Sequence, residues 1–265
     1  MDIRYNRIII YCDYGLDDAI ATVHVLKNSD MFEHIDIVPI GGNVAVDRAY
    51  KNAQTLLFEA EKRGLVDKGK TRVVDTRAVA QPSADIPDVH GGDGMGDVFA
   101  PQKSGVEVMT FDAFTAELDK SKIPECDCVL SLGPCTVPNK VGYVPFCTIL
   151  MGGATNEPPN YGKFEFNEAL DPKAFSSFAK AATAVATLDT CHDEKFGFDK
   201  MKSDELTNVL LASYRGLCEK RGCKIFAVYD YCAALAVTSP ERFDAVRVRR
   251  PDGAEYNELK LINNA

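Results

Sequence analysis

No stretch of this 265-residue chain approaches the roughly 18 consecutive apolar residues of a membrane-spanning helix, so a helical membrane protein is not expected. A basic surplus is missing too. Thirty Lys and Arg face 39 Asp and Glu, a formal charge of -9, and the cluster "RVRR" is isolated, which argues against a nucleic-acid partner. The opening "MDIRYNRIII" has neither the length nor the cleavage site of a secretory leader, and a cytoplasmic location is the expectation. Nine cysteines form no regular framework and read as reduced core residues. Cys126 and Cys128 would share one face of a strand, with no second pair at zinc spacing beside them. Tryptophan is absent, so a flat surface for stacking a planar ligand has to come from Tyr or Phe. No Pro/Ser-rich linker or shift in composition divides the chain, and one domain over residues 1–265 is expected.

What is present is an alternation. Short apolar runs ("RIIIYC", "IDIVPIGG", "TRVVDT", "CDCVLSLG", "CTILMGG", "AVATLD") are separated by amphipathic stretches ("DDAIATVHVLKNS", "DRAYKNAQTLLFEAEKRG", "FDAFTAELDKS", "DPKAFSSFAKAA"). This predicts an α/β fold, a mostly parallel, Rossmann-like sheet flanked by helices, with strands buried on both faces. The tail "AVRVRRPDGAEYNELKL" carries Pro-Asp-Gly between two alternating runs and predicts a terminal hairpin. Ligands of open α/β sheets bind beyond the carboxyl ends of the strands, and polar residues collect at those ends here.

The densest collection is "YCDYGLDDAIA", residues 11–21, with Asp13, Asp17 and Asp18 where the first strand meets the first helix and Gly15 predicted to make the bend. Acids in a first helical turn complement the helix dipole, which accounts for Asp17 and Asp18 but not for Asp13. Three converging carboxylates repel one another unless a cation lies between them, and an oxygen-rich site suits Ca²⁺ or Mg²⁺. An EF-hand loop starting at Asp13 would need Glu at its twelfth position, which is His24; a D-x-D motif and a G-x-G-x-x-G turn are also absent there.

Taken with "GGN" (41–43), "HGGDGMG" (90–96), "LGPCT" (132–136), "MGG" (151–153), "EFNEALDP" (165–172) and "LDTCH" (188–192), the run "CDYGLDDA" resembles the nucleoside hydrolases, the inosine-uridine preferring N-ribohydrolases, in order and over most of the chain. The resemblance implies a bound calcium held by Asp13, Asp18, the backbone carbonyl of Thr136, and Asp230 in "VYDYCAALA". It implies that Asp17, Glu165 and Asn167 hold the ribose hydroxyls, with Asn43 beside the metal and Asn160 as a further ribose contact; His90, in the glycine-rich loop "HGGDGMG", is a further candidate to face the ligand. Asp13 would prepare the attacking water, the substrate would be a nucleoside or related riboside, and the protein would be a homo-oligomer, a dimer or tetramer.

The departures fall in the same region. Tyr11 and Tyr14 replace an acid and a Pro of the family's first motif, and Tyr229 and Tyr231 replace a His and a Pro of its last. The replaced His protonates the departing base in many members; a phenol is a poorer general acid at neutral pH, so Tyr229 is the candidate for that role in altered form. Tyr161, Tyr229 and Tyr231 are the candidate stacking surfaces, and His192 reads as structural. The alternative to a calcium-dependent hydrolase is a catalytically weak member that binds ribosides or calcium.

Overall fold

The computed structural model describes residues 4–196, 198 and 203–262. The run "RIII" forms the middle of β1 (Tyr5–Cys12), in which Ile8, Ile9 and Ile10 have no exposed surface. Successive side chains of a strand point to opposite faces, and here both faces are covered: Ile8 and Ile10 join one apolar cluster, Ile9 and Tyr11 another. Each such burial is worth about 1.5–3 kcal/mol, so an unbroken apolar run is what a doubly covered strand requires.

The other strands are β2 (Phe32–Pro39), β3 (Thr71–Asp75), β4 (Glu107–Thr110), β5 (Asp127–Ser131), β6 (Cys147–Met151), β7 (Ala184–Ala186), β8 (Phe243–Arg249) and β9 (Glu255–Leu261). They form one sheet in the order β4-β3-β2-β1-β5-β6-β7-β9-β8, parallel except for the β8–β9 hairpin. The hairpin turns at Gly253, whose φ of +87° favours glycine. Its outer strand β8 is an edge, mostly exposed and carrying Arg247 and Arg249 paired with Glu255, which discourages further pairing.

The helices, in chain order, are α1 (Leu16–Lys27), α2 (Val46–Glu61), α3 (Pro87–His90), α4 (Phe111–Glu117), α5 (Thr136–Val141), α6 (Phe166–Leu170), α7 (Pro172–Ala181), α8 (Leu188–Cys191), α9 (Glu205–Lys220) and α10 (Tyr229–Thr238). Apolar residues of α1, α2, α9 and α10 cover the face of Ile8 and Ile10. Phe114 of α4, Val137 of α5, and Phe175 and Phe178 of α7 cover the other. The predicted α/β architecture, its six strands, four helices and hairpin are all present. The sequence reading passed over β4, four mostly exposed residues, and α9.

The bend after β1 differs from expectation. Gly15 is extended (φ -73°, ψ -179°), and the left-handed residue is Tyr14, at φ 55°. Glycine is required at 15 for another reason: a Cβ there would lie 2.5 Å from Asn43 Nδ2 and 2.8 Å from His90 Cε1.

Candidate functional site

The chain crosses the central strands so that β1, β5, β6 and β7 deliver their carboxyl ends to one edge. Asp13 follows β1 directly and is wholly buried, as is Asp18 one turn into α1; Asp17 and Asp230 are nearly so. Carboxylate oxygens of Asp17, Asp18 and Asp230 lie within 4.8 Å of one another. Asp13 stands behind this trio. Its Oδ2 accepts the Asn43 backbone N–H at 2.9 Å and its Oδ1 accepts Asn43 Nδ2 at 2.8 Å, while its own N–H donates to Asp18 Oδ1 at 3.0 Å. Asp18 Oδ2 also takes the N–H of Gly15 at 2.8 Å and Asn43 Nδ2 at 3.2 Å.

Glycines make the space for this. A Cβ on Gly42 would fall 1.8 Å from Asp13 Oδ2, and one on Gly133 would fall 2.9 Å from its Cγ. The "GGN" and "LGPCT" motifs are therefore steric necessities around a buried carboxylate.

The trio is electrostatically unbalanced. Among the described residues no Lys or Arg pairs with Asp13, Asp17, Asp18 or Asp230, and Oδ1 of Asp17 has no hydrogen-bond partner, with the neutral imidazole of His90 3.8 Å away. Burial, then the charge of Asp18, raises Asp17 to about 8; burial and neighbouring carboxylates push Asp13 and Asp230 well above the usual range, and burial raises Asp18. An orphaned carboxylate oxygen, an all-oxygen donor set and uncompensated negative charge together fit a hard divalent cation. The structure brings Asp17, which was expected to hold ribose, together with Asp18 and Asp230; Asp13 is expected as a ligand too, but its two oxygens face Asn43. Thr136 sits in the first turn of α5 with its hydroxyl donating to Asp171 Oδ2 at 2.7 Å, outside the cavity wall.

A cavity of about 220 Å³ opens at Asp17 and Asp230, somewhat smaller than most small-ligand sites. Asp17, Asn43, His90, Asn160, Glu165, Asn167, Tyr229 and Asp230 all line it. Glu165 caps α6, its Oε2 accepting the N–H of Gly153 at 3.0 Å and of Glu168 at 3.1 Å, and burial raises it to about 7. Asn167 Nδ2 donates to the carbonyls of Leu132 (3.0 Å) and Met151 (3.4 Å), which ties the amide to the ends of β5 and β6. Asn160 Oδ1 accepts the N–H of Phe166 at 2.9 Å. His90 Nδ1 accepts the N–H of Leu16 at 3.1 Å, so its ring proton is on Nε2; burial pushes it down to about 3, and it stacks on Tyr214 at 5.8 Å between centroids.

The four tyrosines do not act as a set. Tyr11 points into the opposite core cluster and Tyr231 packs edge-on against His24 at 4.9 Å, so Tyr231 is no stacking surface for a ligand. Tyr14 is buried. Tyr229 and Tyr161 do reach the cavity, and His192, read from sequence as structural, touches the hydroxyl of Tyr229.

The other half of the wall escaped the sequence reading: Tyr214 and Cys218 of α9, Arg221, and Ile225 with Phe226 in the segment leading to α10. The signal for α9 was legible, with an N-cap at Asp204 and apolar residues at 206, 210, 211, 214 and 218. Nothing in those residue types marked them as ligand-facing.

The family described as "Inosine-uridine preferring nucleoside hydrolase" matches residues 8–257. The "Non-specific ribonucleoside hydrolase RihC" of Salmonella agona (strain SL483) is 24% identical over 255 residues, covering 89% of this chain and 80% of that protein. Among solved structures, "Plant nucleoside hydrolase - PpNRh1 enzyme" superposes with a TM-score of 0.70 at 20% identity, over 98% of this chain and 87% of the other. The "Purine-Preferring Ribonucleoside Hydrolase from Gardnerella vaginalis" gives 0.70 at 18%, over 98% and 94%. With a match spanning nearly its whole length and a shared fold, the chain belongs to the inosine-uridine preferring nucleoside hydrolase family, hydrolases acting on N-glycosyl bonds.

Proposed function

We propose that this protein is a calcium-dependent N-ribohydrolase that cleaves the N-glycosidic bond of a ribonucleoside or related riboside to give ribose and the free base. The observation that carries this reading is the convergence of Asp17, Asp18 and Asp230 under a cavity also lined by Glu165 and Asn167. The name "Non-specific ribonucleoside hydrolase" of the Salmonella relatives supports a substrate of this class. A homo-oligomer and a cytoplasmic location are part of the proposal, by family membership.

Asp17, Asp18 and Asp230 would hold the cation, with Asp13 and the Thr136 carbonyl completing the set. When bound, a divalent cation supplies the Lewis acidity that makes water a nucleophile at neutral pH. The chain's own residues do the rest. Asp13, whose plane its Asn43 contacts fix, would take a proton from the attacking water. Glu165, Asn167 and Asn160, each tied to backbone, are preorganised to orient the ribose hydroxyls. Carboxylates beneath the sugar favour the positive charge that grows on it as the bond breaks.

Tyr229 in place of the family's His is the observation that favours a second reading, a catalytically weak riboside- or calcium-binding protein. Hydrolysis of p-nitrophenyl riboside, inosine and uridine, with calcium and after chelation, tests both, with Asp13→Ala as control. Calcium-dependent release that Asp13→Ala abolishes is the expected result. Saturable binding of calcium and riboside with no product from any substrate would establish the binder instead.

A further inference from the structure

His192 is the C-cap of α8 and lies outside the cavity wall, yet its ring makes two side-chain hydrogen bonds. Nδ1 is 2.9 Å from Oε2 of Glu157, in the loop after β6, and Nε2 is 3.2 Å from the hydroxyl of Tyr229, the first residue of α10. The loop is clamped in place. Asp189 of α8 accepts the backbone N–H groups of Thr155 (2.8 Å), Asn156 (2.9 Å) and Glu157 (3.2 Å). A carboxylate, an imidazole and a phenol thus form a chain that ends at the cavity, one residue from Asp230.

The two protonation states of His192 give Tyr229 opposite roles. A neutral ring with its proton on Nδ1, directed at Glu157, leaves Nε2 as an acceptor. It then takes the phenol proton, and only lone pairs of the Tyr229 oxygen face the cavity. A protonated ring donates from both nitrogens, Nδ1–H to Glu157 and Nε2–H to the Tyr229 oxygen, and the phenol proton is free to point at a ligand. Glu157 supplies the counter-charge for that second state.

We propose that Glu157 and His192 act through Tyr229 as the proton source for the departing base, an imidazole set back from the cavity taking over leaving-group protonation in this chain. The proposal rests on the ribohydrolase reading above. As the C1′–N bond breaks, its electron pair passes to the base nitrogen, which takes the proton of the Tyr229 hydroxyl. The Tyr229 oxygen takes the proton of His192 Nε2 in the same step. Tyr229 ends as it began, His192 ends neutral, and the water that adds to C1′ releases one proton, so charge and atoms balance. His192 is partly open to solvent, its side chain 16% accessible, and regains its proton there. Tyr229 is a conduit and does not itself titrate.

The test compares kcat for inosine, whose base is a poor leaving group, with kcat for p-nitrophenyl riboside, whose leaving group needs no proton, in the calcium-loaded protein. His192→Gln and Tyr229→Phe are each expected to lower the inosine to nitrophenyl riboside ratio by about 10²-fold, and the double variant no further. Glu157→Gln is expected to lower it by about tenfold. Gln keeps a hydrogen-bonding group against Tyr229 but cannot deliver a proton. A ratio unchanged in His192→Gln, or a parallel fall for both substrates, would therefore reduce His192 to a structural role and overturn the proposal. Nitrophenol release by the unaltered protein without any nucleoside cleavage would leave the ribohydrolase reading intact and refute the proton source. Release from neither substrate, with calcium bound, would instead refute the ribohydrolase reading and this step with it.

Discussion

The two halves of the cavity are built differently. The acidic half comes from the ends of β1 and β5, the start of α1 and α10, and the caps around α6; its carboxylates are all buried, and those of Asp13, Asp18 and Glu165 are held by backbone N–H groups. The other half comes from α9 and the segment after it, with Tyr161 42% exposed and Ile225 49% exposed at its mouth. Positions fixed by strand ends, glycine contacts and buried charge have little freedom to change. Positions on one helix face and a surface segment have much more. The acidic half should therefore carry the chemistry that is common to the family, and the outer half the choice of leaving group.

The largest expected effect lies in the acidic half. Asp18→Asn keeps the shape of the side chain but removes its charge and presents a donor where an acceptor is needed for Gly15 N–H or Asn43 Nδ2. Calcium binding by calorimetry should weaken by at least about 10²-fold and kcat/KM for any cleaved riboside should fall on the order of 10³-fold. Undiminished calcium binding in both Asp18→Asn and Asp230→Asn would show that the trio is not the cation site, and the comparison between the halves would lose its basis.

A medium effect is expected in stability. In the cation-free protein Asp17 stands at about 8 and Glu165 at about 7, raised in both cases first by burial, against about 3.9 and 4.3 in an unfolded chain. Below pH 4 both states hold these protons and the groups' contribution is fully present. As pH climbs from about 4 to 8 the unfolded chain has released protons that the folded state keeps, so stability falls through that window. A bound cation reverses this by accepting the ionised carboxylates. The Tm gap between calcium-loaded and chelated protein should be small at pH 5 and widen to at least about 5 °C at pH 8. A gap that does not grow with pH would mean that these carboxylates meet no cation.

The same contrast explains what the sequence disclosed. Strand β1 and the acids after it were legible because burial on both faces forces an unbroken apolar run and a cation site forces acids at its end. The glycines were legible as motifs, yet their purpose was misassigned at Gly15, where side-chain crowding by Asn43 and His90 rather than backbone conformation excludes a Cβ. Tyr11 shows the limit of reading by proximity in sequence. It lies two residues from Asp13, but its side chain joins the apolar cluster on the Ile9 face of β1, whereas Asp13 lies beyond the strand's last residue, where the alternation no longer applies. His192 was hidden for the opposite reason. Its partners Glu157 and Tyr229 are 35 and 37 residues away, and only the packing of α8 against α10 and the loop after β6 brings them to it.

The smallest effects should come from the outer half. Tyr161 packs edge-on against Phe166, with centroids 5.2 Å apart, and Phe226 lies 5.5 Å from Tyr214 with the Arg215 guanidinium 4.4 Å from its ring. These rings border the space above the ribose half and are the stacking surfaces left to a chain without tryptophan. Stacking of one planar base on one such ring is worth about 0.5–1.5 kcal/mol, so Tyr161→Ala and Phe226→Ala should each raise KM for nucleosides by about two- to tenfold. Because the contact is made equally before and during bond cleavage, kcat should stay within about twofold. KM for a riboside with a small, non-aromatic leaving group should not move at all. If instead either variant lowered kcat as far as Asp18→Asn, the outer half would be acting on the breaking bond itself, and the division between a buried chemical floor and an adaptable leaving-group wall would have to be abandoned.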